Sequence, residues 1–535
     1  MSKVFQSEYI PYSKTGKFTK IILDYVAGVK DLKDFYEHEV SIDGIKASIE
    51  QRKKFNTNRT LLVEQLKAQY KNADDNNIVH ENINALLNEN TFTICTAHQP
   101  NIFTGHLYFI YKILHAIKIA DDLKKQMPQY NFVPVFFMGS EDADLEELNH
   151  IVVDGRKYAW NTKQTGAVGR MKVDDNLLKL ISEIEGRLLV EKNGEEIIEL
   201  LKKCFQKNLT IEQSTFLFVH HLFKKYGLIV LLPDNASLKK EMLPIFEEDI
   251  FENTPSKIVN KSSKKLSEKY KVQAHPREIN LFYLQENIRN RIIYHKDDFV
   301  VNDTDIVFTK DGIKSELHQH PENFSPNVIL RGLYQEMILP NIAFIGGGGE
   351  IAYWLELKDL FKHYKTPFPV LIVRNSFLII ESRIQKLIQK LKLNSQDLFN
   401  TNQALLNKIV SEKSSHTLSL DAKKTELEQV YNDIKKLAGE IDVTLRSHAE
   451  ALETKSLKKI SALEKKMLRA EKRKFEDEKK QLEKIFSILF PGDNLQERTE
   501  NFMLFYSKWG NEFFEMLYKN SLTFKQEFCV IEEHK

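Results

Sequence analysis

Residues 131–150, NFVPVFFMGSEDADLEELNH, constrain the fold more than any other stretch of the chain. Phe132 to Met138 is an unbroken apolar run. Alternation is lost in this way when both faces of a strand are covered, which predicts an interior strand of a parallel sheet. The run stops at Gly139, and Glu141, Asp142, Asp144 and Glu146 follow within six positions. Ser140 then reads as a helix N-cap with acids in the first turn. Open α/β sheets bind ligands beyond the carboxyl ends of their strands, so these acids are candidate catalytic groups. The competing reading is an ordinary complement to the helix dipole, worth roughly 0.3–1 kcal/mol per acid.

Four more short apolar runs lie in the first 380 residues: Thr93–Ala97, Gly227–Leu232, Ile342–Ile345 and Phe368–Val373. Helical periodicity separates them; after the first, Leu107, Ile110, Leu114 and Ile117 fall on one face. Strands alternating with helices predict an α/β core with a parallel sheet. Residues 1–90 read as mainly helical, with polar connections such as Asn72-Ala73-Asp74-Asp75-Asn76-Asn77.

Beyond residue 381 the texture changes. Only Gly439 interrupts the stretch from Glu381 to Phe490. Leu427, Val430, Ile434, Leu437 and Ile441 keep a 3-4 spacing, as do Leu457, Ile460, Leu463, Met467 and Ala470. The register slips around Leu445 to Leu452, marking a stutter or a turn between two helices. An α-helical coiled coil is expected over residues 386–490, pairing two chains as a homodimer or closing on itself as a hairpin. Residues 491–535 carry Phe502, Trp509, Phe514 and other aromatics, too apolar for a free tail. They are expected to pack back on a core of residues 1–385.

The 535 residues are too many for one compact core. Their net charge is +2, from 77 basic and 75 acidic groups, so no global field draws nucleic acid or an anionic membrane. Met1 to Lys20 holds no signal-peptide core and no run of 18 apolar residues occurs. Cys95, Cys204 and Cys529 lie far apart, without metal-ligand spacing, as free thiols do in a reducing cytoplasm. A cytoplasmic protein is expected. GxSxG, HExxH and CxxC are all missing, which leaves hydrolase, zinc-protease and dithiol chemistry without support.

Three further segments carry candidate chemistry. Thr96 to Leu107 runs from a strand into a helix, placing His98, Gln99, Thr104 and Gly105 where backbone N–H groups and a positive helix end would meet an anion. Its Gly105-His106 also resembles half of the HxGH signature of class I nucleotidyltransferases, although Phe103 stands where the first histidine would be. Ile345 to Trp354 contains Gly346, Gly347, Gly348 and Gly349, which permit positive φ and close approach of a ligand. Glu350 and Tyr353 then share a helical face toward the same pocket. In Ser325 to Leu333, Arg331 emerges from an apolar run and suits a carboxylate or phosphate, or else a salt bridge to a nearby acid. Arg374-Asn375-Ser376 repeats that pattern after another strand.

Thr96 to Lys112, Pro134 to His150 and Ser325 to Trp354, in this order, resemble the three long motifs of the bacillithiol synthase family, the cysteine-adding enzymes called BshC. The resemblance covers nearly the whole chain. Ala97, His106, Ala143, Gly332 and Gly348 depart from the family pattern, while the acids and the glycine turn are retained. The resemblance implies a Rossmann-like core with inserted connecting segments, a dimerising coiled coil, and a ligase joining L-cysteine to the amine of glucosaminyl-malate. Under that implication His98, Glu141, Asp142 and Asp144 are the catalytic candidates, the acids holding an ammonium or serving as base. Gln99, Thr104, Gly105, Arg331, Gly346, Gly347, Gly349, Glu350 and Tyr353 are the binding candidates. Amide formation from a free acid is uphill in water, so an adenine nucleotide is expected by chemical logic, although no motif here marks one. Nucleotidyl transfer at the Gly105-His106 helix start and a non-catalytic coiled-coil scaffold are the alternatives. The first predicts pyrophosphate release without cysteine, and the second a core that binds no small molecule.

Overall fold

The computed structural model describes residues 4–73 and 77–534, so Asp74, Asp75 and Asn76 of the Asn-rich connection lie outside the described residues. Five strands, β1 (Thr91–His98), β2 (Asn131–Met138), β3 (Ile229–Leu231), β4 (Asn341–Gly346) and β5 (Val370–Val373), form one parallel sheet. Their order is β5-β4-β1-β2-β3. These are the five runs expected as strands, and they are buried almost throughout because helices cover both faces. Pro134 sits one residue before β2 begins to pair with β3, where a strand tolerates proline. Helix α1 (Tyr108–Gln126) follows β1 and packs Ala116, Ile119, Ala120 and Leu123 into a core with Phe92, Phe132 and Ile345.

Between β3 and β4 the chain inserts helices and a five-stranded sheet that includes Leu281–Gln285, Ile288–His295 and Phe324–Pro326. Helix α2 (Val328–Ile338) leads from it into β4, and α3 (Gly348–Trp354) leaves β4. The described residues of the N-terminal part are mainly helical, as expected, with helices such as Ile42–Arg52 and Arg59–Tyr70, but they begin with a strand, Val4–Pro11. Its sequence, VFQSEYIP, is mostly exposed and carries no period-2 apolar signal.

The chain divides into two compact units. The larger comprises Tyr9–Leu378 with Asn494–Val530, and the smaller is built on Ile379–Asp493. In the smaller unit α4 (Asp421–Ile441) and α5 (Val443–Lys472) form a hairpin. The turn falls at Asp442, whose extended backbone breaks the helix and whose carboxylate accepts from Thr444 N at 2.7 Å. The expected break at Leu445 to Leu452 is therefore corrected; α5 runs through it uninterrupted. Polar pairs line the seam: Lys424–Glu464 at 2.7 Å, Lys435–Glu453 at 2.9 Å and Tyr431–Ser456 at 2.8 Å. No described helix is long and apolar enough to cross a membrane.

In the larger unit one ion pair ties the N-terminal helices to the sheet. Arg52 and Glu336 lie 2.6 Å apart with side chains 1% and 0% exposed. Arg52 also donates to the carbonyls of Asn341 and Glu336 at 2.8 Å each, and Glu336 accepts from Gln335 and Asn341. Removing one partner strands a buried charge. Arg52→Met is expected to destabilise the protein by about 3–5 kcal/mol in urea unfolding, and a loss below about 1 kcal/mol would contradict this role.

Candidate active site

β4, β1 and β2 are neighbours, so their carboxyl ends deliver three loops to one rim. A cleft of about 640 Å³ opens there. From β1 it takes His98 and Gln99, from β2 the turn Gly139 to Asp142, and from β4 Gly347, Gly348, Gly349 and Glu350. Arg331 and Tyr353 add a wall from α2 and α3. Of the expected residues, Thr104, Gly105, Asp144 and Gly346 are not among the lining.

The acidic turn has a different build from the one expected. Ser140 is buried and caps no helix; its carbonyl accepts from Gly169 N at 2.9 Å. A Cβ at Gly169 would lie 2.3 Å from that oxygen, so glycine allows the close approach. The helix that follows is a single turn, Leu145–Leu148, capped by Asp144, whose carboxylate accepts from Glu147 N at 3.2 Å. This turn leaves Glu141 and Asp142 pointing at the cleft. Asp142 is half-buried, and Gln99 donates to it at 3.2 Å. Glu141 is buried, paired with Lys239, and accepts from Ser325 Oγ at 3.1 Å, which in turn accepts from Arg289 Nε at 3.1 Å. Burial pushes the Glu141 carboxyl up against the opposing pull of Lys239.

The glycine turn is also built differently: none of Gly346 to Gly349 has positive φ. Gly346 is required by packing, since a Cβ there would lie 2.9 Å from the Phe344 ring, whereas one at Gly349 would meet nothing within 4 Å. Gly347 N donates to the Glu350 carboxylate at 2.9 Å, closing the start of α3. Positive φ occurs instead at Phe103, Thr104 and Gly105, at 49°, 71° and 65°. Such backbone costs a non-glycine residue roughly 1–3 kcal/mol and persists where its surroundings enforce it. The N–H groups of Thr104 and Gly105 bond to Asn101 O and Ile102 O within the loop, so they do not face an anion.

The cations are the larger surprise. Lys112 on α1 is 2% exposed, donates to Ala97 O at 2.9 Å and pairs with Glu350. Arg374 is buried, bonded to Glu497 at 2.7 Å, and lies 5.2 Å over the Tyr108 ring. Arg331 donates to Tyr353 OH through one nitrogen, while its Nη1 has no hydrogen-bond partner among the described residues. Arg289 and Arg498 line the same cleft. Sequence reading missed Lys112, Arg289 and Arg498, since a basic residue in a helix, an exposed strand or a loop has no pattern of its own. His98 packs edge-on against Tyr108 and Phe109, with Nε2 unpartnered. Burial, then the nearby charge of Lys112, lowers its pKa well below 6.5, so the ring is neutral and offers an unprotonated nitrogen to a hydrogen-bond donor.

Carboxylates therefore share one cleft with guanidiniums and a neutral imidazole. Such a site suits a ligand bearing both an amine and an acidic group. Among the described residues no group of three or more His, Cys, Asp or Glu is placed to hold a metal ion.

Two family models match the chain. "Bacillithiol biosynthesis BshC, N-terminal Rossmann-like domain" covers residues 5–375, and "Bacillithiol biosynthesis BshC, C-terminal coiled-coil domain" covers residues 377–533. Similar proteins of Flavobacterium psychrophilum, Flavobacterium johnsoniae and Christiangramia forsetii are 40%, 39% and 37% identical. The matches span 95%, 98% and 98% of this chain and 96%, 99% and 98% of those proteins, each named "Putative cysteine ligase BshC".

The charge cluster behind Glu141 sets a pH dependence. Lys239 bridges Glu141 and Asp234, and Arg170 holds Asp234 at 2.7 Å. Burial, then the charge of Asp234, pushes Glu212 from 4.5 up to about 8. The unfolded chain releases that proton near 4.5 and the folded chain near 8, so stability falls as pH rises through the window. Glu212→Gln removes this titration. Its stability relative to wild type is expected to rise steadily between about pH 5 and about pH 8 in urea unfolding, and a constant difference would contradict the assignment.

Proposed function

The chain belongs to the bacillithiol biosynthesis BshC family, and we propose that its cleft joins L-cysteine to the glucosamine amine of glucosaminyl-malate through an amide bond, the last step of bacillithiol synthesis. The observation that carries this is the meeting of the Glu141–Asp142 turn with Arg331, Arg374 and Lys112 in one cleft at the ends of three adjacent strands. Asp142, partly open and oriented by Gln99, takes the proton that the attacking amine gives up. Glu141, fixed by Lys239 and Ser325, provides negative charge for an ammonium. Arg331, with a nitrogen unpartnered, binds a carboxylate. An adenine nucleotide would supply the activation that the cysteine carboxylate needs, and Arg498 fits its phosphate charge.

Nucleotidyl transfer through Gly105-His106 has less support, because His106 Nδ1 bonds to Thr499 O at 2.9 Å and neither residue lines the cleft. The scaffold reading leaves a built, charged cleft without a use. Cys95, Cys204 and Cys529 are buried thiols, which fits work in a reducing cytoplasm.

We also propose that the hairpin pairs with a second copy. Leu427, Leu457, Ile460 and Met467 are half-buried in its seam among the polar pairs, while Val430, Ile434, Leu437 and Ile441 lie outside it, 53%, 42%, 63% and 81% exposed and spaced 4-3-4. A stripe with that spacing is buried by another helix.

Deleting the gene is expected to abolish the bacillithiol pool and to accumulate glucosaminyl-malate; normal thiol levels would contradict the ligase reading. Asp142→Asn is expected to lower turnover by roughly 10²–10⁴-fold with little change in melting temperature, whereas near-normal turnover would return this acid to a structural role. Ile434→Asp with Leu437→Asp is expected to halve the mass seen in sedimentation, and a wild-type protein that already sediments as a monomer would refute the pairing.

A further inference from the structure

Five consecutive residues near the end of the larger unit each reach a different part of the cleft's frame. The Glu497 carboxylate, 1% exposed, accepts from Arg374 Nη2 at 2.7 Å and from Phe377 N at 3.2 Å. Arg498 lines the cleft. Thr499 O bonds to the His106 ring at 2.9 Å. Glu500 O accepts from Leu107 N at 2.8 Å, just before α1, and its carboxylate accepts from Asp154 N and Gly155 N at 3.0 Å each. Asn501, 0% exposed, donates through its side-chain amide to Phe103 O at 3.0 Å and to Gly105 O, and accepts from Met503 N at 2.9 Å.

The bonds of Asn501 fall on the strained loop. Phe103, Thr104 and Gly105 hold positive φ in succession, and Thr104 is β-branched, so this backbone does not form unaided. The loop joins two sets of cleft residues: His98 and Gln99 precede it, and Tyr108 and Lys112 follow it. If it relaxed toward negative φ, the start of α1 would move, taking Tyr108 from Arg374 and Lys112 from Glu350.

We propose that Asn501 is a positioning residue of the cleft, the keystone of a brace formed by Glu497 to Asn501. It holds the Phe103–Gly105 backbone in the conformation that sets Tyr108 and Lys112 in place. The proposal rests on the cleft being the ligase site, and it assigns part of that site to a segment that falls within the C-terminal family model.

Full-length wild type, Asn501→Ala, Asn501→Asp and Asn501→Ala with Thr104→Gly test this. Aspartate keeps the size and the Met503 bond but loses the donor, and glycine at 104 relieves the strain that the brace opposes. Two readouts are taken: amide hydrogen exchange across residues 99–112, and affinity for glucosaminyl-malate by calorimetry. The expected result is faster exchange in both single variants and affinity lower on the order of 10-fold to 100-fold, with Thr104→Gly restoring part of each. Unchanged exchange overturns the brace. Faster exchange with unchanged affinity overturns the positioning role, leaving Asn501 a fold residue only. If wild type binds no glucosaminyl-malate, the ligase reading falls and takes the positioning role with it, while the exchange data still decide whether the brace exists.

Discussion

A charge taken out of water has to be paired, and this protein organises its cleft around that requirement. Lys112 with Glu350, Arg374 with Glu497, and Glu141 with Lys239 are buried or nearly buried pairs around the rim. Each joins residues far apart in the chain, so the rim is complete only when the whole larger unit has folded. Arg52 with Glu336 does the same at the other end of β4. Breaking any of these pairs leaves a charge whose desolvation nothing offsets. Conformational specificity is the gain: each pair fixes where one cleft wall stands relative to the next.

Pairing also sorts the charges by task. Glu350 and Lys112 answer each other, and Arg374 is held by Glu497, so these groups shape the cleft. Asp142, Arg331 and His98 are less completely answered. Asp142 takes a bond from Gln99 alone among cleft side chains, and Arg331 Nη1 and His98 Nε2 have no partner among the described residues. Groups left in this state inside a cleft are the ones a ligand satisfies. An acid, a guanidinium and a neutral imidazole together match a reaction in which an amine attacks a carboxylate-derived carbon and gives up a proton.

The sheet was legible because its signal is local. Five apolar runs with lost alternation mark strands covered on both faces, and the acids after Met138 mark a strand end. The two helices of the hairpin were legible for the same reason, though Val430, Ile434, Leu437 and Ile441 lie outside its seam and its turn was misplaced: Asp442 breaks the helix through a local side-chain bond, not through the apolar register. Other details depend on distant partners. Ser140 looked like a helix cap until Gly169 packed against its carbonyl. The four glycines suggested positive φ, yet the left-handed backbone lies at Phe103 to Gly105, where Asn501 enforces it. Lys112 sat unremarked in an apolar helix, because its partner Glu350 lies more than two hundred residues away.

A crystal structure of the protein with glucosaminyl-malate bound decides whether this cleft is the ligase site. Density is expected in the cleft, with the sugar amine beside Asp142 and Glu141 and a carboxylate against Arg331. Ordered ligand elsewhere on the chain, with the Asp142–Arg331 cleft empty, would contradict it.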